Sequence, residues 1–218
     1  MGLFKDLLSH ELLRKLIPNR NARSVVRRGG RLASKTAAHT AYEADRAAHH
    51  ADALKNGDRT TSAVFPVLPM TQAELLASPY NNLMTPMNTT ALFVVALNVY
   101  NQNRDESIAM INYLRGPNPL SADDVRLLDE HMAQNNKAGY LAQSYLTGAT
   151  PQNGYTPAQP YTVVITDNFY TYYDREFATV YVMCGGADSP RPVTLRKAGD
   201  SLWYLWELSL LDGIRSPV

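Results

Sequence analysis

The sequence predicts an α+β protein in which helices precede an antiparallel sheet. Apolar side chains recur at helical spacing through residues 71–134 and at alternate positions through residues 160–208. A passage rich in Gly and Pro separates these two halves. Ahead of both lies a basic, alanine-rich stretch. We therefore predict a helical arm (residues 1–59) and an α+β body (residues 60–218) whose helices pack on one face of the sheet.

The arm and the body differ in charge. The arm holds twelve Lys and Arg residues against six Asp and Glu residues, so its net charge is +6, and the body carries −5. Residues 1–17 place several Leu and Phe side chains on one helical face. Such a helix lies on a membrane surface, docks onto a partner, or packs against its own protein, and these alternatives stay open.

A basic patch follows in the arm, with no acidic residue among its members. Anionic lipid or nucleic acid would be attracted to it, but the stretch lacks the aromatic side chains that stack on bases. Gly29-Gly30 are expected to weaken a single continuous helix here. A solvated basic face or a flexible joint is the alternative, and we favour it over a nucleic-acid partner. The patch consists of Arg20, Arg23, Arg27, Arg28, Arg31 and Lys35.

Residues 31–55 are predicted to form a long helix, because they are rich in Ala, lack Gly and Pro, and end at Asn56-Gly57. Alanine recurs at intervals of four and three residues, which is the spacing of a heptad seam. Small side chains let two helix backbones approach closely, although each buries little apolar area. The seam predicts pairing within the chain or between copies, and the high helix propensity of Ala is the alternative explanation. Its members are Ala37, Ala41, Ala44, Ala48 and Ala51.

The helices of the body are marked by capping residues. Residues 61–69 are predicted to be an extended, proline-punctuated linker. A capping box at 71–74 begins a short helix, and Thr85-Pro86 begin a central buried one. Two amphipathic helices follow over 105–116 and 121–134, the first ending at Gly116.

Four strands are predicted in the second half of the body. Their short connections favour an antiparallel meander. The strands are expected at 161–167, 177–183, 191–197 and 201–208.

The loop that joins the second and third of these strands has the sequence GGADSP. Gly185 and Gly186 are expected to take a positive φ, and Asp188 to accept backbone N–H bonds in an Asx turn. Arg191 would then bridge Asp188 or reach outward to an anion. Turn chemistry explains most of the segment, and a binding loop is the alternative.

Aromatic residues give a second indication of a binding surface. Trp203 and Trp206 point to opposite sides of the last strand, and we place Trp206 in the core. A groove lined by Tyr and Trp, with arginines as polar anchors, would receive a peptide or another subunit, whereas a helix-covered core is the alternative. The candidate binding residues are Asp188, Arg191, Arg196, Trp203, Tyr172 and Tyr173.

Few chemistries are indicated by the residues available. Cys184 is the only cysteine and is expected to be buried, and His131 is the only histidine of the body. No nucleotide-binding, metalloprotease or nucleophile-elbow motif is present. We therefore predict no catalytic residue, no metal site and no cofactor. Acidic residues that could act as acid and base have no distinctive spacing; they are Asp167, Asp174, Glu176 and Glu207.

Three segments resemble one known family. They are INYLRGPNPLS (111–121), GATPQNGYTPAQPYTV (148–163) and GGADSPRPVTLRK (185–197). With the pattern W-x-LWE…GIR-x-P near the end, they are similar to a bacterial family of domains of unknown function found mainly in Firmicutes. The resemblance covers about residues 66–218. It implies a shared fold and a shared surface, and no known activity.

These observations favour a non-enzymatic protein-interaction or assembly module in the cytoplasm. Its partner would be another protein or a second copy, with the arm mediating self-association or attachment to a membrane surface through residues 1–17. An enzyme or small-ligand binder with a carboxylate and Arg site on the sheet is the first alternative. Nucleic-acid binding through the basic patch is the second.

Overall fold

The computed structural model describes residues 20–218, with side chains from Lys35 onward, so predictions about residues 1–17 lie outside the described residues. Two compact units divide the chain, one ending at Ala48 and the other comprising His49–Val218. The second unit therefore begins within the last turns of the first helix, eleven residues before the boundary predicted from charge.

Helix α1 (Arg20–Asn56) is continuous through Gly29-Gly30. These glycines, which are expected to weaken a single continuous helix, do not end it. Each glycine costs about 1 kcal/mol relative to Ala, but extending an existing helix is far easier than nucleating a second one. The alanine-rich residues that follow form a stable helix, and the turn that contains the glycines adds to its N-terminal end.

The sheet has five antiparallel strands, one more than predicted, in the order β1-β2-β3-β4-β5. The additional strand falls on the predicted linker, where seven residues pair with β2 in unbroken register. β-Branched Thr60, Thr61 and Val64 suit an extended backbone, which explains why this segment forms a strand. The strands are β1 (Arg59–Phe65), β2 (Tyr161–Asp167), β3 (Phe177–Val182), β4 (Arg191–Lys197) and β5 (Trp203–Leu205).

The predicted helices between β1 and β2 are confirmed. Each begins at a side chain that accepts a backbone N–H of its first turn, namely Thr71, Thr85, Asn103 and Ser121. Three short 3₁₀ turns then lead to β2. The helices are α2 (Gln72–Leu76), α3 (Pro86–Val99), α4 (Arg104–Arg115) and α5 (Ala122–Ala133).

Helix α3 forms the centre of the core. Its side chains are buried on nearly every side, and it contacts β1, β2, β3 and β5. The strand residues that meet this inner face of the sheet are buried in alternation, as Ala178, Val180 and Val182 of β3 show. The opposite, outer face carries half-exposed side chains that include Thr179, Tyr181 and Thr194.

The GGADSP loop is a structural turn for a reason different from the one predicted. Gly185 and Gly186 are not among the glycines with positive φ. A Cβ on Gly185 would overlap the carbonyl oxygen of Ala149, and a Cβ on Gly186 would overlap the hydroxyl of Tyr155. Close approach of the backbone, rather than its dihedral angles, requires glycine at both positions.

None of the helices within residues 20–218 is long and apolar enough to cross a lipid bilayer.

Candidate binding site

A basic, aromatic pocket of about 360 Å³ lies where the β4–β5 hairpin meets the end of α4. Three segments far apart in the sequence form it: the turn after α4, the start of β3, and the β4–β5 hairpin. We call it the hairpin pocket. Its charged and aromatic lining residues are Arg115, Glu176, Arg196, Lys197, Tyr204 and Trp206.

Arg196 is held against two aromatic rings. Its guanidinium carbon lies 5.1 Å from the ring centre of Trp206 and 5.7 Å from that of Phe177. Those two rings meet edge to face with centroids 5.5 Å apart. Nη2 of Arg196 donates to Oε2 of Glu176 at 3.3 Å. A guanidinium has five N–H donors, so this arrangement fixes its plane and leaves donors for a ligand.

Arg115 connects α4 to the sheet. Its Nε donates to the carbonyl of Asn118 at 2.9 Å, and its Nη1 donates to the carbonyl of Trp206 at 3.0 Å. Only 11% of the side chain is exposed. Arg115 therefore positions Trp206 and places a largely buried positive charge behind the pocket.

Lys197 lies at the edge of the pocket, but its side chain is on the face opposite to Arg196, because β4 and β5 pair Lys197 with Trp203 and Arg196 with Tyr204. Its Nζ lies 5.5 Å from the ring centre of Trp203, and no carboxylate within the described part of the chain lies within ion-pair distance of it. Glu176 is the only acidic residue that lines the pocket in residues 35–218. Arg115, behind the pocket, lies 3.9 Å from Oδ2 of Asp124 through its Nη2, and Arg196 pairs with Glu176. The N–H donors of Arg196 that Glu176 leaves free are therefore the groups that can attract an anion.

The six candidate binding residues do not form one site. Arg191 and Arg196 lie at opposite ends of β4. The predicted bridge between Arg191 and Asp188 is wrong, because Asp188 pairs with Arg215. Arg191 instead donates to the carbonyl of Asp212 at 3.0 Å and so holds the C-terminal segment. Of the six, Arg196 lines the hairpin pocket.

The two tryptophans exchange their predicted roles. Trp203 is buried, with 6% of its surface exposed, whereas Trp206 is half-buried on the outer face beside Arg196. The core position predicted for Trp206 is therefore wrong. Tyr172 packs on Trp203 with ring centres 5.8 Å apart, and burial raises the pKa of its phenol to about 12. Tyr173 is 67% exposed.

A family model for a domain of unknown function, DUF6935, matches residues 67–218. The chain belongs to this family. The DUF6935 match contains every residue of the hairpin pocket and begins after β1. No curated protein matches the chain, and no solved structure matches it.

A second polar cluster joins the DUF6935 domain to the residues that precede it. Asp167, at the end of β2, is 1% exposed and accepts two bonds from Arg59, from Nε at 3.1 Å and from Nη2 at 2.6 Å. Nε2 of His49 lies 3.6 Å from Oδ2 of the same carboxylate. Asp52 lies 3.6 Å from Nη1 of Arg59. A buried carboxylate needs such partners, since desolvation of an unpaired charge is costly.

His49 has no hydrogen-bond partner for either ring nitrogen within the described residues. Its ring meets Tyr172 edge to face at 4.8 Å, and His50 lies beside it at 6.1 Å. Burial lowers the pKa of His49 below 6.5, with Arg59 acting in the same direction and Asp167 opposing it. The neutral ring is therefore the form that the fold favours.

Acidification is expected to destabilise the protein through His49. Below pH 6.5 the unfolded histidine takes up a proton that the folded one resists, so the free energy of unfolding falls as pH decreases. His49→Gln should flatten this dependence just below pH 6.5. The acids with lowered pKa, such as Asp124, titrate at lower pH, so they do not contribute to the pH dependence just below pH 6.5. Urea unfolding of both proteins across this interval tests the prediction, and parallel pH profiles would contradict it.

The alanine seam of the arm lies on the surface. All five alanines are exposed, so packing within the described chain does not use them, and pairing between copies stays a prediction. Of the basic patch, only the side chain of Lys35 lies within the described side chains, and it is exposed.

The sequence did not predict the contacts of two residues, Arg115 and Asp167. Arg115 lies in the INYLRGPNPLS segment, but nothing there indicates that it reaches β5. Asp167, by contrast, gave a usable signal. It continues the buried alternation of Val163 and Ile165, and a charged residue at a buried strand position requires a charged partner.

Proposed function

We propose that this protein is a non-enzymatic, cytoplasmic protein-interaction module whose DUF6935 domain binds an acidic peptide segment of a partner in the hairpin pocket. One observation carries the proposal. The outer face of the sheet ends in a pocket where Arg196 lies against a wall formed by Trp206 and Tyr204. The largely buried Arg115 lies behind this wall.

The chemistry of the pocket supports a ligand that is both acidic and aromatic or apolar. A carboxylate can pair with the N–H groups of Arg196 that Glu176 leaves free. A neighbouring apolar side chain can pack on Trp206, since Trp and Arg are the residues that most often carry binding energy at interfaces. The shallow shape suits a peptide side chain better than an enclosed small molecule.

Glu176, the acidic residue that lines the pocket, supports a binding function rather than acid–base catalysis. Glu176 is bound to Arg196, and within residues 35–218 no second carboxylate lines the pocket. Acid–base chemistry of the kind considered from the sequence uses two carboxylates with separate roles. Peptide binding, by contrast, requires only the guanidinium of Arg196 and the aromatic rings of Trp206 and Tyr204.

Selection from a random peptide library displayed on phage tests this function. The natural protein should enrich peptides with acidic residues beside an aromatic one. Arg196→Glu and Trp206→Ala should each weaken binding of the enriched peptides by about tenfold or more. Arg126→Glu is the matched control, because Arg126 is 69% exposed on α5 and forms only surface ion pairs. Enrichment that is equal for the natural protein and the two pocket variants would overturn the proposal.

The arm is proposed to mediate self-association through the exposed alanine seam. A second helix can approach this stripe closely because no large side chain stands on it. Ala44→Glu would place a charge in the seam and is expected to reduce the mass measured by light scattering at high protein concentration. An unchanged mass would remove the seam from the proposal.

A further inference from the structure

Among the residues that the structure describes, contacts cover one edge of the sheet, at β5, and none covers the start of the other edge, at β1. At β5 the N–H of Trp203 donates to the carbonyl of Leu83 at 2.9 Å, and Oγ1 of Thr89 donates to the carbonyl of Trp203 at 2.6 Å. At β1, residues Arg59–Ser62 are exposed. Uncovered edge strands offer backbone donors and acceptors to another strand.

The outward direction of β1 is fixed by Tyr80. Its hydroxyl accepts from the N–H of Val64 at 2.7 Å and lies 3.3 Å from the carbonyl oxygen of the same residue. The backbone groups of Val64 therefore point away from β2. Because successive residues of a strand alternate in direction, those of Thr60 and Ser62 also point outward. Within the described residues these two have no backbone partner.

We propose that two copies of this chain pair antiparallel through β1, with a two-fold axis at Thr61, and join their sheets into one of ten strands. In this register Thr60 faces Ser62 of the second copy, and the reverse pair forms across the axis. Each pair exchanges two N–H···O bonds. The four bonds use every free outward group of Thr60 and Ser62 and leave the bonds between Val64 and Tyr80 intact.

The strand favours a second copy over a foreign peptide because it is complementary to itself in this register. Residues 60–65 hold no charged residue and no proline, so the usual guards against edge pairing are missing. The nearest charge, Arg59, is bound by Asp167 and Asp52. The register places it opposite Ala63 of the second copy, so the two arginines do not meet. Thr61 of one copy faces Thr61 of the other, and Thr–Thr pairs are typical of antiparallel strands.

The pairing predicts a weak, concentration-dependent dimer, because only four backbone bonds and small side chains form it. It is independent of the hairpin pocket, which lies at the opposite edge of the sheet. It also differs from pairing through the alanine seam, since only pairing through β1 protects backbone amides of that strand.

Amide hydrogen exchange of the full natural chain, measured by NMR in dilute and concentrated solution beside light scattering, tests the proposal. The amides of Thr60 and Ser62 should exchange about tenfold more slowly, or slower still, in the concentrated sample. The amide of Val64, already bonded to Tyr80, should show the same protection in both samples. A chain that stays monomeric, or a dimer in which Thr60 and Ser62 gain no protection, would overturn the proposal.

A proline substitution provides a second test. Ser62→Pro removes an outward N–H that β2 does not use, and proline is tolerated at such edge positions. It should abolish the slower exchange of the Thr60 amide in the concentrated sample, while the matched Ser62→Thr variant should keep it. A folded Ser62→Pro variant in which Thr60 still gains this protection contradicts the register. If the variant does not fold, the exchange measurement on the natural chain decides.

Discussion

Arg59→Met is expected to lower the free energy of unfolding by about 3 kcal/mol, the lower end of what breaking a buried ion pair costs. The reason is Asp167, which is 1% exposed and loses both of its N–H donors. His49 cannot replace them, since its neutral ring lies 3.6 Å away, too far for a hydrogen bond. Arg59 itself is half-exposed, so water partly screens the pair, and we expect no larger loss. Urea denaturation measures the change.

Two further variants show whether the buried carboxylate is the cause. Arg126→Met removes a surface arginine with two exposed acidic partners and should cost less than about 0.5 kcal/mol. Arg59→Met combined with Asp167→Leu removes both charges and should recover most of the stability, because an apolar pair of similar size often replaces a buried ion pair without loss. Equal losses for Arg59→Met and Arg126→Met would show that Asp167 does not depend on Arg59.

Gly185→Ala is expected to cost about 3 kcal/mol or to prevent folding, the cost of forcing an extra methyl group into a packed site. The added Cβ would overlap the carbonyl oxygen of Ala149. The loop cannot move away easily, because the N–H of Gly185 donates to the carbonyl of Ser144 at 2.8 Å. Thermal unfolding followed by circular dichroism measures the loss.

Gly199→Ala is the matched control for this prediction. A Cβ at position 199 would have no atom within 4 Å, so stability should change by no more than about 0.5 kcal/mol. If both substitutions were equally mild, the close approach of the two backbone segments would not be a requirement of the fold.

The helices and four of the five strands were predictable because their signals are local. Thr85 followed by Pro86, and Ser121 followed by Asp124, mark helix starts through bonds between neighbouring residues. Strands β2 to β4 show buried alternation within single segments. Strand β1 was missed because its first four residues are exposed and polar, so it shows too little alternation to indicate a strand.

The binding site was harder to predict because it depends on contacts between distant segments. Arg115 donates to Trp206, and Arg196 meets both Phe177 and Glu176. No pattern within one segment encodes these pairs. The sequence therefore indicated Arg196 as a binding residue but grouped it with Arg191, which lies at the other end of β4. The position of a residue in the alternating pattern of a strand indicates its burial better than its residue type does. Asp167 shows this, because it is charged and yet buried in alternation with Val163 and Ile165.

The indole N–H signals of the two tryptophans test the central claim, that the hairpin pocket binds acidic peptides. The probe is a short peptide of glutamates around one tyrosine, titrated into ¹⁵N-labelled protein. Trp206, on the pocket wall, should shift progressively as the peptide binds, while Trp203, buried in the core, should stay in place. Arg196→Glu should abolish the shift, because the guanidinium of Arg196 lies 5.1 Å from the ring centre of Trp206. Two stationary signals, or equal movement of both, would contradict the account.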